Sequence, residues 1–394
     1  MISDVYFPRI NGVSTSIATF RRSLARLGHE CWLIAPRYPN EHSDDPHTLR
    51  IASRYLFLDP EDRMLKRGAI LELEQQLREQ RFDLIHIQTP FIAHHAGKIL
   101  AQRLGLPLVE TYHTYFEEYL FHYVPLLPKA MMRAVARGLT RSQCQQTDAV
   151  IVPSRAMHEV LKDYGVKVPM AIIPTGLELD EFSAGSRQRS CQQHDIDPAR
   201  PILVHVGRVA FEKNIGFLLE VVARARSQFP ELLLIIAGEG PAEKSLHAQA
   251  RKLGITHNIK FIGYLSRGQA LWDCYCSGDA CVFASSTETQ GLVLLEAMAL
   301  GVPVVSTAVM GTRDILDAGR GALVAEQDVE DFAAKVTSLL QDEALRQRLA
   351  QEARDYARQW ATDRMAQRLL DFYAGVVDKH AAAERPVEET ASPL

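Results

Sequence analysis

Short apolar runs and segments of helical periodicity alternate along almost all of this 394-residue chain. Runs of strand character fall at residues 1–3, 30–35, 84–88, 108–111, 149–152 and 170–173 in the first half. In the second half they fall at 202–206, 232–237, 259–261, 280–283, 304–306 and 322–324. Apolar helical segments lie between them. Strand–helix alternation sustained in this way specifies an α/β fold with parallel sheets. A chain of this length exceeds a single core and calls for two domains. Residues 180–201 are polar and hold no strong strand, so they read as a linker. The N-terminal domain is then 1–185 and the C-terminal domain 198–358. The tail from 381 to 394, rich in Ala, Glu and Pro, reads as disordered.

The start is unusual. Met1-Ile2-Ser3-Asp4 resembles the last residues of a first strand, which ordinarily has about 5–6 residues. Two readings stand: a start placed late, or a short strand.

Composition excludes several classes. A net charge of −4 argues against general nucleic-acid binding. No run approaches the roughly 18 apolar residues of a membrane span, and the N-terminus lacks a signal-peptide pattern. The six cysteines read as reduced thiols of a cytosolic protein, with Cys281 in the core. Cys274-Tyr275-Cys276 has no matching second pair and is a poor zinc candidate.

Glu288 and Glu296 lie in Glu288-Thr289-Gln290-Gly291-Leu292-Val293-Leu294-Leu295-Glu296, between an apolar strand and a helix that Gly301 closes. Ligands of open parallel sheets bind at such strand ends. A helix start offers free N–H groups, here those of Gln290, Gly291 and Leu292, suited to phosphate. Carboxylates beside an anion site are aimed at hydroxyls. Phosphate and polyol together point to a nucleotide sugar. Arg208 and Lys213 stand in Gly207-Arg208-Val209-Ala210-Phe211-Glu212-Lys213-Asn214, just after another strand. They fit a diphosphate, Arg208 by paired donors and Lys213 as a point charge. Fixed cations stabilise the charge that builds on a departing nucleoside diphosphate. With that charge offset, no metal and no cofactor is needed. The plain alternative for the pair is two solvated residues at a helix start. For Glu296 it is a helix carboxylate paired to a local base.

Two motifs mislead. Asp195-Ile196-Asp197 has a metal-binding spacing but lies in the linker and reads as a solvated turn. Gly238-Glu239-Gly240-Pro241 hints at a dinucleotide fingerprint, yet Glu243 replaces the third glycine and Pro241 removes an amide.

Taken together, the glutamate unit resembles the donor motif of the retaining glycosyltransferases of family four, which have the two-domain GT-B fold. The Asn11-Gly12-Val13 loop, Tyr112-His113-Thr114, Val152-Pro153-Ser154, Pro174-Thr175-Gly176, the Arg208/Lys213 loop and Gly238-Glu239-Gly240-Pro241 match in the family's order. The resemblance implies two Rossmann-like domains whose parallel sheets face a central cleft. The N-terminal domain takes the acceptor and the C-terminal domain takes a nucleotide diphosphate sugar, UDP- or GDP-linked. Helices at 359–380 cross back to the N-terminal domain. Glu296 is implied at the donor ribose and Glu288 at the transferred sugar. The Gly12 loop is implied near the diphosphate and Tyr264 near the base. His113 is implied at the reacting centre, where it positions or polarises the acceptor. No nucleophile is evident; the resemblance implies front-face displacement, with the leaving phosphate taking the acceptor proton. His86 is a weaker candidate of the same kind. An epimerase or hydrolase on the same fold is the alternative, but it needs an acid–base pair that the sequence does not show.

Tyr112, Tyr115, Tyr119 and Tyr123 recur at three or four residues, along one helical face. Lys129, Arg133, Arg137 and Arg141 follow at four-residue spacing, a basic stripe with no Asp or Glu between Glu118 and Asp148. Met131, Met132, Val135 and Leu139 fall on the opposite arc. Two readings stand. The helix faces anionic lipid head groups on the cytoplasmic side of a membrane, at about 1 kcal/mol per basic residue. Alternatively, its apolar arc lies on the core and its basic arc in water. With Tyr112-His113-Thr114, the stretch resembles the diacylglycerol glucosyltransferase branch of the family, which implies a lipid acceptor. Sugar and polysaccharide-intermediate acceptors stay open.

Overall fold

The computed structural model of the chain describes residues 1–9, 11–38, 45–55, 63–113, 129–182 and 184–384. It divides into two compact units, one of residues 1–175 with 363 onward and one of residues 176–362.

In the first unit, strands β1 (Leu33–Pro36) and β2 (Thr48–Ile51) pair in parallel. Strands β3 (Ser53–Tyr55) and β4 (Arg63–Leu65) form a small antiparallel ribbon. The strands β5 (Ile85–Ile87), β6 (Leu108–Thr111), β7 (Ala149–Val152) and β8 (Met170–Ile172) make a four-stranded parallel sheet in that order. Ile2 joins the two parallel parts through single bridges to Ile34 and Ile87. The sequence reading found these strands except β2, β3 and β4. The misses are physical: β2 is only half-buried over Thr48–Arg50 and carries no apolar run. The final helix, Thr362–Glu384, belongs to this unit from Asp363 onward and sets Met365, Leu369 and Val376 into a core with Phe20, Val109 and Ile151. It extends four residues into the tail read as disordered, and residues 385–394 lie outside the described residues.

The second unit holds six parallel strands: β9 (Ile202–Val206), β10 (Leu233–Ala237), β11 (Ile259–Gly263), β12 (Ala280–Phe283), β13 (Val304–Thr307) and β14 (Ala322–Ala325). Its central strands are apolar on both faces. Ile202, Val204, Leu233, Ile235, Cys281 and Phe283 enter one core, and Leu203, Leu234, Ile236 and Val282 the other. Helices cover both faces, which is why these strands read as near-continuous apolar runs. Each fully buried Val, Leu or Ile contributes about 1.5–3 kcal/mol.

The unit boundary corrects the linker. Residues 187–193 form the helix Arg187–Gln193, with Cys191 in the unit's core. Arg189 Nη2 bonds Asp273 Oδ1 at 2.7 Å and Arg187 Nη1 bonds Asp279 Oδ1 at 3.1 Å. The polar residues that suggested a linker are ion-pair partners holding this helix to its own unit. Asp195-Ile196-Asp197 is a turn after that helix: Asp195 has φ 50°, and Asp197 Oδ1 accepts from the Ala199 amide at 2.9 Å.

Candidate functional site

The sheet of the second unit runs β11-β10-β9-β12-β13-β14. Strand succession reverses between β9 and β12, the switch point beyond whose carboxyl ends ligands bind in such sheets. The loops leaving β9 and β12 carry Lys213 and Glu288. Lys213 ends a short 3₁₀ turn, Phe211–Lys213, after which Asn214 takes a left-handed conformation at φ 53°. Ser285 Oγ donates to Glu212 O at 3.2 Å and Asn214 Nδ2 to Ala284 O at 3.3 Å, which ties the two loops together. The Lys213 ammonium then meets Glu288 Oε2 at 2.7 Å. Each of these side chains is 20% exposed.

Glu288 is held from several sides. Burial alone would raise its pKa, but the Lys213 ammonium and the amides of Gln290 and Gly291 outweigh it and keep the carboxyl below its usual value. This corrects the expectation of free amides at the helix start: those of Gln290 and Gly291 point at the protein's own carboxylate. The backbone carbonyl of Glu288 accepts from the Gly311 amide at 2.8 Å. A Cβ on Gly311 would stand 2.0 Å from Thr289 O, so only glycine allows this bracing. Gly291 precedes the helix Leu292–Ala299 at φ 98°. Gln290 is buried.

The Gly238–Pro241 loop has a structural task. Val209 N donates to Glu239 O at 2.8 Å and Ala242 N to Val209 O at 3.0 Å. A Cβ on Gly238 would fall 1.9 Å from Gly207 O. These glycines therefore let the loop lie against the Arg208 loop. The Arg208 guanidinium stands 4.0 Å from Glu212. Tyr264, just past β11, is 48% exposed, and its amide points at Glu239 Oε1 at 3.4 Å.

Glu296 is nearly buried on its helix. Arg267 Nη1 donates to its Oε1 at 2.6 Å and Tyr275 Oη to its Oε2 at 2.9 Å. The plain reading, a carboxylate paired to a base, is therefore met. The base was not found from sequence, because Arg267 sits in a polar loop 29 residues away.

The first unit holds the other expected residues. Gly12 opens the helix Gly12–Arg26, capped by Asn11 Oδ1 accepting from Ser14 N at 2.8 Å, and a Cβ there would meet nothing within 4 Å. His113 lies just past β6, half-buried, with Nε2 3.0 Å from Gln88 Oε1; burial lowers its pKa to about 4. His86 is a core histidine: Thr111 Oγ1 at 2.7 Å and Tyr373 Oη at 2.5 Å take both ring nitrogens. Tyr112, assigned above to an acceptor surface, is instead buried, its hydroxyl 2.9 Å from Thr140 Oγ1. Tyr115 and Tyr119 lie outside the described residues.

The basic stripe is on the helix Lys129–Cys144; the side chain of Lys129 lies outside the described residues. Arg133, Arg137 and Arg141 are exposed, and the Arg137 guanidinium lies 5.3 Å over the Tyr164 ring. The apolar arc differs from expectation. The buried edge is Met132, Ala136, Thr140 and Cys144, whereas Met131, Val135 and Leu139 are 47%, 53% and 59% exposed. The Tyr112 hydroxyl meets Thr140 on this buried edge.

No cluster of three or more potential metal ligands and no helix long and apolar enough to cross a membrane occurs among the described residues.

Residues 186–356 match the family described as Glycosyl transferases group 1, and residues 10–181 match Glycosyltransferase Family 4. An alpha-monoglucosyldiacylglycerol synthase of Streptococcus pneumoniae is 32% identical over 316 residues, 78% of this chain and 70% of that protein. An alpha-monoglucosyldiacylglycerol synthase of Acholeplasma laidlawii is 25% identical over 399 residues, 96% of this chain and 97% of that protein. Among solved structures, sucrose-phosphate synthase from Thermosynechococcus elongatus superposes with a TM-score of 0.76 at 20% identity, covering 96% of this chain and 99% of that one. Anabaena Alr3699/HepE in complex with UDP-glucose gives 0.74 at 17% identity, covering 95% and 99%. The chain belongs to the family-four glycosyltransferases, retaining hexosyltransferases of the GT-B fold.

Proposed function

We propose that this enzyme moves a hexose from a UDP- or GDP-linked sugar to the hydroxyl of a membrane lipid of the diacylglycerol class. The Lys213–Glu288 cluster carries the donor half of the reading. At the switch point it gathers an ammonium, suited to a diphosphate, and a carboxylate held by two backbone amides, suited to sugar hydroxyls. The match to a fold neighbour solved with UDP-glucose supports it. Lys213 and Arg208 meet the diphosphate, and their charge substitutes for a metal ion. Glu288 takes hydroxyls of the transferred sugar, and Glu296 takes the ribose. As the glycosidic bond opens, charge grows on the leaving phosphate, and a fixed ammonium stabilises that charge more than it stabilises the ground state. The leaving phosphate then accepts the acceptor proton on the same face.

On the acceptor side, His113 is neutral at physiological pH. With Nε2–H donating to Gln88 Oε1, Nδ1 keeps its lone pair and can orient an acceptor hydroxyl. Met131, Val135 and Leu139 are exposed on one arc of the helix Lys129–Cys144 and Arg133, Arg137 and Arg141 on another, apolar and basic groups that an anionic membrane surface can take up. The two glucosyldiacylglycerol synthase relatives support a lipid acceptor, and with it this reading sets the enzyme peripherally on the cytoplasmic face of a membrane.

The test is a panel of UDP- and GDP-sugars supplied with and without diacylglycerol in anionic vesicles, with products identified by mass. A hexosyl-diacylglycerol appearing only with lipid supports the reading. Equal donor turnover without lipid favours a hydrolase or epimerase and overturns it.

A further inference from the structure

Arg267 has no part in the chemistry described so far, yet it is among the most constrained side chains in its unit. Its Nε bonds Glu181 Oε2 at 3.1 Å, and its guanidinium lies 5.5 Å over the Phe182 ring and 5.3 Å over the Trp272 ring. Those rings stand 4.5 Å apart, and Trp272 Nε1 donates to the Glu181 carbonyl at 3.0 Å. The cage leaves Nη1 pointing at Glu296 Oε1, 2.6 Å away, while Tyr275 bonds Oε2. A carboxylate accepts about four hydrogen bonds, two per oxygen. One acceptor position on each oxygen therefore remains, at a spacing that suits two adjacent hydroxyls.

We propose that Arg267 is a positioning residue that fixes Glu296 to receive the vicinal hydroxyls of the donor ribose. The inference rests on the donor reading above. Lysine cannot reproduce the arrangement, since it lacks both the stacked plane and the second donor.

The test uses the full chain and isothermal titration with UDP and GDP, continuing with the tighter ligand and its 2′,3′-dideoxy counterpart. Wild type should prefer the ribose form by about 30-fold, as two hydrogen bonds of typical net worth imply. Arg267→Ala should weaken the ribose ligand about tenfold and the dideoxy ligand less than about twofold, so that the preference collapses. Arg267→Lys should fall between the two and serves if the alanine variant fails to fold. A loosening of structure alone would weaken both ligands equally, and that result overturns the proposal, as does a preference kept in both Arg267 variants. Glu296→Gln separates the two levels. If it abolishes the preference while the Arg267 variants keep theirs, only the role of Arg267 fails. If wild type or Glu296→Gln shows that Glu296 does not read the ribose, or if neither nucleotide binds, the donor reading fails and this inference with it.

Discussion

Replacing Lys213 by Met separates the two tasks that the Lys213–Glu288 pair performs. Removing the ammonium leaves the Glu288 carboxylate with two amides and no counter-charge, in a site where both side chains are only 20% exposed. Breaking a fully buried pair costs about 3–5 kcal/mol. With this much solvent access we expect about 2–3 kcal/mol, between that range and the small worth of surface pairs. In a unit of this size that lowers the unfolding midpoint by roughly 5–10 °C. Adding Glu288→Gln removes the orphaned charge, so Lys213→Met/Glu288→Gln should recover most of the lost stability. Transfer should not recover. Both variants lack the cation that the proposed reading sets at the leaving diphosphate, and the loss of such a contact lowers kcat by about 10²–10³. Differential scanning calorimetry and initial transfer rates on the same preparations read both effects. If transfer returns with stability in the double variant, the pair is only structural. If Lys213→Met unfolds like wild type, the ion pair carries no load and the reasoning from its burial is wrong.

Three further outcomes follow from the geometry. His113 and His205, both lowered to about 4 by burial, stabilise the fold fully above the unfolded value near 6.5, and that stability is lost as pH falls toward 4. Asp4, raised to about 6, acts oppositely, stabilising below the unfolded value and losing the effect as pH rises through 6. His86, held well below its usual value by burial, acts with the two histidines; three groups against one make chemical denaturation midpoints fall from pH 6.5 to 4, and a flat profile would contradict the burial of these histidines. If Arg208 and Lys213 meet the diphosphate charge as proposed, transfer should persist in EDTA, and a complete loss restored by a divalent ion would refute that assignment. Replacing Arg133, Arg137 and Arg141 by Gln should weaken binding to anionic vesicles by about 3 kcal/mol, roughly 100-fold. Leu139→Asp should weaken it through the apolar edge, and unchanged flotation in both variants would remove the membrane face.

The buried parallel strands were legible because both faces of each are largely apolar, as in Leu233–Ala237 and Ala280–Phe283. The ribbon β3–β4 and strand β2 were not, since short, half-polar strands leave no such run. Residues of the candidate site that share one loop, as Glu288 and Gln290 do, can be read together from sequence. Those whose setting depends on contacts across loops are hidden. Arg267 looks like any polar turn residue until the Phe182 and Trp272 rings confine it. Gly311 gains its meaning only from the carbonyl of Thr289 against it. Helical periodicity placed Met131 and Leu139 with Met132, yet neighbouring stripes on one helix differ by a single residue, and the Tyr112–Thr140 contact selects which one is buried.

The most direct measurement is the proton NMR spectrum of the lipid product formed from the preferred sugar nucleotide and diacylglycerol in anionic vesicles. The account predicts one hexose joined to the free lipid hydroxyl with the donor's anomeric configuration kept. An inverted linkage, or free hexose as the main product, would contradict it.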